Sequence, residues 1–148
     1  LGSGGAARGV VASLINAGSP EIRLIARSYK KAEKIKTAFG DRVVICEWRH
    51  RDDLIEGCGL LVNATTLGMV GQEDLQICLN SLPLVAVVND LVYSPLRTQL
   101  LINAHRRGNP VVDGLGMLLY QAVAGFEGWF GLAPIVDQDV RDYLINLR

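Results

Sequence analysis

The run Gly2-Ser3-Gly4-Gly5-Ala6-Ala7 decides the fold, because it fits the pattern G-x-G-x-x-A at the point where a helix begins. In that pattern the first glycine allows a tight turn and the second lets backbone approach a bound pyrophosphate. The small third residue lets helix and strand pack closely. Downstream, Val10, Val11, Leu14 and Ile15 recur at helical spacing until Asn16-Ala17-Gly18-Ser19-Pro20, whose glycine and proline are the residues expected just past a helix end. The reading is a helix over residues 5–17, with the free N–H groups of its first turn pointing at the phosphates.

Working outward, apolar runs and glycine punctuation alternate as strand and helix. Strands are expected at Glu21–Ala26, Val43–Cys46, Leu60–Val62, Leu84–Val88 and Pro110–Val112. Helices are expected at Tyr29–Phe39, Pro95–Arg107, Leu115–Trp129 and residues 136–147, with one or two helical turns over Asp52–Glu56. Short, fully apolar strands separated by helices imply a parallel sheet covered on both faces. The expected fold is therefore a three-layer, doubly wound, Rossmann-like α/β domain spanning residues 1–148. The chain opens at Leu1 with no methionine and no strand ahead of the glycine turn. Because that strand is central in such a sheet, the reading expects residues before Leu1 that complete it.

Whole-chain properties narrow the partners. Half the residues, 49%, are hydrophobic, and 15 Lys and Arg balance 15 Asp and Glu, so no nucleic-acid surface is expected. No apolar run approaches the roughly 20 residues that cross a bilayer, and a membrane is not expected as a partner. Cys46, Cys58 and Cys78 form neither a C-x-x-C pair nor a disulfide framework and read as reduced core residues of a cytoplasmic protein. His50 and His105 are the two histidines, read as solvated or capping residues. No chelating spacing suggests a metal.

The second strand chooses the dinucleotide. An NAD site places an acid about 20 residues beyond the glycines, whereas an NADP site has a base. Here the strand runs into Arg27-Ser28 without an acid, and Lys31 lies one turn further on. Arg27 can pair bidentately with a 2′-phosphate, Ser28 can donate a hydroxyl and Lys31 adds charge, so NADP is the expected cofactor. Asn63-Ala64-Thr65-Thr66-Leu67-Gly68-Met69 follows a buried strand, where open α/β sheets bind ligands.

That segment resembles the N-A-T-x-x-G-M of the shikimate and quinate dehydrogenases, and other segments agree in order. Gly2 to Arg8 is similar to the family's G-A-G-G-A-A-R, and Ala26 to Ala32 to its N-R-T-x-x-K-A. Asp90 to Thr98 resembles D-x-x-Y-x-P-x-x-T, and Asp113 to Val123 resembles D-G-x-x-M-L-x-x-Q-A, followed by Trp129-Phe130-Gly131. Ala26 stands in place of the usual Asn, Ser28 in place of Thr, and Phe130 where Thr is frequent.

The resemblance implies a two-domain enzyme that reversibly reduces 3-dehydroshikimate to shikimate with NADPH. It implies cofactor contacts at Gly2, Ser3, Gly4, Gly5, Ala6, Arg27, Ser28, Lys31, Asn63, Thr65, Leu91, Gly114 and Met117. Substrate contacts are implied at Tyr93 and Gln121, whose phenol and amide suit a hydroxylated carboxylate ring. The family's catalytic lysine and aspartate lie in an N-terminal domain, so no catalytic residue is expected within this chain. The alternatives are a quinate/shikimate dehydrogenase or related paralogue, and a non-catalytic NADP-binding module. Tyr93 and Gln121 speak against the module, which has no need of them.

Overall fold

The computed structural model describes residues 1–146. Elements alternate as α1 (Gly5–Asn16), β1 (Ile22–Ala26), α2 (Tyr29–Phe39), β2 (Val43–Glu47), β3 (Leu60–Asn63), β4 (Val87–Asp90), α3 (Gln99–Arg107), β5 (Val111–Val112), α4 (Leu115–Phe130) and α5 (Gln138–Asn146). All strand pairs are parallel: β1 with β2, and β3 with β4 with β5. The ladder falls into a two-stranded and a three-stranded sheet. Each has its own apolar core, one of Ala7, Val11, Leu24, Ala32 and Val43, the other of Ile55, Leu61, Leu82, Val88, Leu100 and Leu101.

Leu1 and Gly2 join the two sheets. Leu1 N donates to Val62 O at 2.6 Å, and Ala64 N donates to Leu1 O at 2.9 Å. Bracketing Asn63 in this way is the parallel-ladder pattern. On the other side Gly2 N donates to Ile25 O at 2.9 Å. The first two residues thus occupy a strand position between β1 and β3.

Helix boundaries follow their caps. Ser28 accepts from Lys31 N and starts α2, and Gly40 follows its end at positive φ. Thr98 accepts from Leu101 N and starts α3, so this helix begins at Gln99 and not at Pro95. The strand expected from Leu84 begins instead at Val87. Leu84 and Val85 are 57% and 85% exposed, and the Asn109 amide takes the Pro83, Leu84 and Ala86 carbonyls at 2.9, 3.2 and 3.0 Å. Those carbonyls are turned onto one side chain and do not join a ladder. The turns expected at Asp52–Glu56 are preceded by a short 3-10 turn over Trp48–His50. Cys46 and Cys58 are half-buried, but Cys78 is exposed and not a core residue. No helix among the described residues is long and apolar enough to cross a membrane. The expected helix over residues 136–147 is present as α5 to Asn146, and its final residue lies outside the described residues.

Candidate functional site

The C-terminal ends of the strands converge on one cleft of about 530 Å³, within the size range of small-molecule sites. It is lined by Gly2 to Ala6, by Arg27, Ser28 and Lys31, and by Trp48. Ala64, Thr65, Thr66 and Met69 follow β3, Leu91 to Ser94 follow β4, and Met117 comes from α4.

At the floor, the glycine turn is shaped for close approach. Gly2 has φ +106°, and a Cβ there would lie 2.7 Å from Ala64 O, so a side chain would force the turn off β3. Gly4, the N-cap of α1, has no side-chain acceptor, and no acid sits in the first turn. Among the described residues the leading N–H groups of α1 therefore have no side-chain partner, and together with the helix dipole they form a seat for an anion.

At one end of the cleft, Arg27, Ser28 and Lys31 gather at the start of α2. Ser28 Oγ accepts from Lys31 N at 3.4 Å, which leaves its hydroxyl hydrogen available. Among the described residues no hydrogen bond or ion pair engages the exposed Arg27 guanidinium, whose Cζ lies 6.0 Å from the centroid of the Trp48 ring. Nearby Glu47 pairs with Arg49 at 2.7 Å, and among the described residues no ion pair joins it to Arg27.

Behind the cleft, a buried polar hub fixes the loops after β3 and β4. Asn63 and Asp90 are both 0% exposed. The Asn63 amide donates to Asp90 Oδ1 at 2.9 Å and to Leu67 O at 3.1 Å. Asn63 Oδ1 accepts from Thr65 N at 3.1 Å and from Thr65 Oγ1 at 2.7 Å. Asp90 also accepts from Val92 N at 3.0 Å and from the Thr98 hydroxyl at 2.6 Å. Burial pushes the Asp90 carboxyl above its ordinary range, against the pull of these hydrogen bonds.

Most residues expected to contact a ligand share the cleft: Gly2, Ser3, Gly4, Gly5, Ala6, Arg27, Ser28, Lys31, Thr65, Leu91, Met117 and Tyr93. Three lie outside its lining. Asn63 sits beneath it in the hub. Gly114 is buried against the loop after β4, where a Cβ would lie 2.4 Å from Leu91 O. Gln121 is exposed on α4, one turn beyond Met117 on the same helical face. Thr65 spends both of its donors on Asn63, and its methyl carbon faces Gly2, so it shapes the turn.

Sequence reasoning missed Trp48 and the partnership of Asp90 with Thr98. The signal for Trp48 was its place directly after the second apolar strand, because residues at the ends of adjacent parallel strands meet. Among the described residues no cluster of three His, Cys, Asp or Glu side chains could hold a metal. The titratable side chains lining the cleft are Arg27, Lys31 and Tyr93.

No protein-family model matches the chain. It is 53% identical over 146 residues to a curated shikimate dehydrogenase (NADP(+)) of Paramagnetospirillum magneticum, covering 99% of this chain and 53% of that protein. It is likewise 53% identical over 141 residues to the enzyme of the same name from Dinoroseobacter shibae, covering 95% and 51%. Among solved structures, it superposes on shikimate 5-dehydrogenase of Thermus thermophilus in complex with NADP(H) and shikimate. That match has a TM-score of 0.76 and 34% identity, over 90% of this chain and 49% of the other. Quinate dehydrogenase of Corynebacterium glutamicum in complex with NAD gives a TM-score of 0.83 at 28% identity, over 90% and 49%. The resemblance read from the motifs thus extends along nearly the whole chain, with a Rossmann-like fold in common. The chain spans about half the length of the curated relatives it matches.

Proposed function

We propose that this chain is the cofactor-binding part of an NADP-dependent shikimate dehydrogenase, which interconverts 3-dehydroshikimate and shikimate. The observation that carries the reading is the composition of the cleft. Segments far apart in sequence bring to it a glycine turn at a helix N-terminus, an arginine without an acidic partner among the described residues, apolar residues and a phenol.

In this reading the N-terminus of α1 holds the pyrophosphate, and Arg27, Ser28 and Lys31 hold the 2′-phosphate. Leu91 and Met117 flank the nicotinamide and exclude water, with Gly114 allowing α4 to approach the loop that carries Leu91. NADPH supplies the hydride. Tyr93 and Gln121 hold and orient the substrate. Asn63, braced by Asp90, keeps the Thr65 loop against the glycine turn.

Hydride transfer to a carbonyl also needs a proton for the developing alkoxide. We assign that acid/base pair, and most substrate contacts, to a second domain formed by residues before Leu1. The exposed apolar side chains of α4 and the segment after it support a further unit here: Trp129, Phe130, Leu132 and Ile135 are each at least 66% exposed. Three free cysteines support a cytoplasmic location. Quinate oxidation is the second reading, favoured by the likeness to the quinate dehydrogenase structure; that protein's NAD complex makes Arg27 the feature that argues for NADP here.

The test is a fluorescence titration with NADPH and NADH, with shikimate and NADP turnover assayed in the chain extended upstream as its gene allows. Arg27→Ala is expected to weaken NADPH by about 10- to 100-fold, the worth of one or two charge-assisted hydrogen bonds, and to leave NADH nearly unchanged. If the extended protein binds neither nucleotide, the reading fails. Turnover of quinate alone would move the substrate assignment to the second reading.

A further inference from the structure

Arg27 is the first residue after β1 and Trp48 the first after β2, and the register Ala26↔Glu47 sets them side by side. Trp48 is half-buried. Part of it packs against the core cluster that contains Ile55 and Leu61, and part lines the cleft. The ring is held from within the chain by a second cation: Arg51 Cζ lies 5.5 Å from its centroid. Arg51 is itself anchored, its Nε donating to Gln76 O at 2.6 Å and its Nη1 to Trp48 O at 3.2 Å.

Arg27 has no such anchor. Ala26 beside it offers no polar group, Glu47 is committed to Arg49, and the one interaction its guanidinium makes among the described residues is with the Trp48 ring. An arginine presents a bidentate edge only if the plane of its guanidinium is held. An aromatic face holds that plane while leaving the N–H edge unspent.

Resting on the reading that the cleft takes NADP, the geometry points to Trp48 as the positioning residue for NADP selection. Its indole braces the Arg27 guanidinium, so that the N–H edge meets the 2′-phosphate. Trp48 acts through Arg27 and needs no contact with the phosphate. This separates it from a tryptophan that merely fills the core, whose loss would weaken NADPH and NADH alike.

The experiment measures the NADPH/NADH affinity ratio by calorimetry, in the chain together with whatever precedes Leu1 in its gene. The proteins compared are the unaltered one, Trp48→Leu, Trp48→Met, Trp48→Phe, Arg27→Ala and the Arg27→Ala/Trp48→Leu pair. Trp48→Met fills the core side while removing the ring, and carries the test if the leucine variant fails to fold. We expect Trp48→Leu and Trp48→Met to lower NADPH affinity about five- to tenfold, with NADH changed less than about twofold. Trp48→Phe should restore most of the ratio. Trp48→Leu should add little once Arg27 is alanine, because the two act as one unit. An unchanged ratio in the Trp48 variants, beside a collapsed ratio in Arg27→Ala, would overturn the inference and leave the cofactor reading standing. Equal losses for both nucleotides would also overturn it. If the unaltered protein shows no preference for NADPH, and Arg27→Ala changes nothing, it is the NADP reading that fails, and this inference with it.

Discussion

Asp90 shows how much of the cleft rests on a residue that never touches a ligand. Its carboxylate accepts from Asn63, Val92 and Thr98, and so links the loop that carries Thr65 to the loop that carries Leu91 and Tyr93. An amide in its place can keep an oxygen toward Asn63 and Val92 but then turns an NH₂ toward Thr98, whose hydroxyl proton loses its acceptor. Asp90→Asn is expected to cost about 1–3 kcal/mol at neutral pH, read from the urea midpoint. The pH dependence has a definite sign. Burial raises the carboxyl above its ordinary range in the folded chain, so its stabilising contribution is full below the unfolded aspartate pKa and is lost as pH rises through the folded one. The unaltered chain should therefore gain on Asp90→Asn as pH falls from 7 toward about 4. A gap that shrinks on acidification would contradict the raised carboxyl. The hub was only half legible in sequence. Asn63 stood out as a polar residue ending an apolar strand, but its partner lies 27 residues away, and pairing across a parallel sheet leaves no short-range spacing to read.

At the scale of elements, caps and periodicity made α1, α2, β1 and β2 readable nearly to the residue, because each boundary is set by neighbours in sequence. Where the boundary is set at a distance, local patterns misplace it. The apolar run from Leu84 looks like a strand, but Asn109 draws its carbonyls into a turn. Pro95 looks like a helix start, but Thr98, held by Asp90, supplies the cap. The start of α4 is a third case. Asp113 caps Leu115 N at 3.1 Å and is ion-paired with Arg141 of α5, while Gly114 presses onto the Leu91 carbonyl with no room for a Cβ. Gly114→Ala must push α4 from the β4 loop, which would move Met117 and Leu91 apart. The expected cost is about 1–3 kcal/mol in stability, as for overpacking. NADPH affinity should fall with it, whereas Gly116→Ala, with nothing within 4 Å of the added carbon, should be close to neutral. Thermal melts of the two variants side by side check this, and equal behaviour would mean that the approach of Gly114 to Leu91 is not a constraint on the fold.

Across the whole molecule, the join between the two sheets is the feature that local patterns describe least. Leu1 and Gly2 pair on one side with β3 and on the other with β1. Beside them runs an apolar slot of about 410 Å³ lined by Leu1, Val11, Leu14, Ile22, Ile25 and Leu61 among others. The apolar side chains along this open slot keep one side unpacked, and covering them would add contacts and remove apolar surface from water. We propose that residues upstream of Leu1 continue the ladder into this slot as a strand between β1 and β3, in line with the pairing that Leu1 and Gly2 begin. A strand contributing two or three buried apolar side chains is worth about 1.5–3 kcal/mol for each before its ordering cost. Each kcal/mol of that gain left after the ordering cost raises Tm by about 2–4 °C in a domain of this size. The measurement compares the 148-residue chain with one extended by about ten encoded upstream residues, a strand and its turn. A rise in Tm of several degrees, with hydrogen-exchange protection appearing at Ile25 and Val62, is the expected outcome. Equal melting temperatures and unchanged exchange would overturn this proposal and mean that the sheets are joined through Leu1 and Gly2 alone.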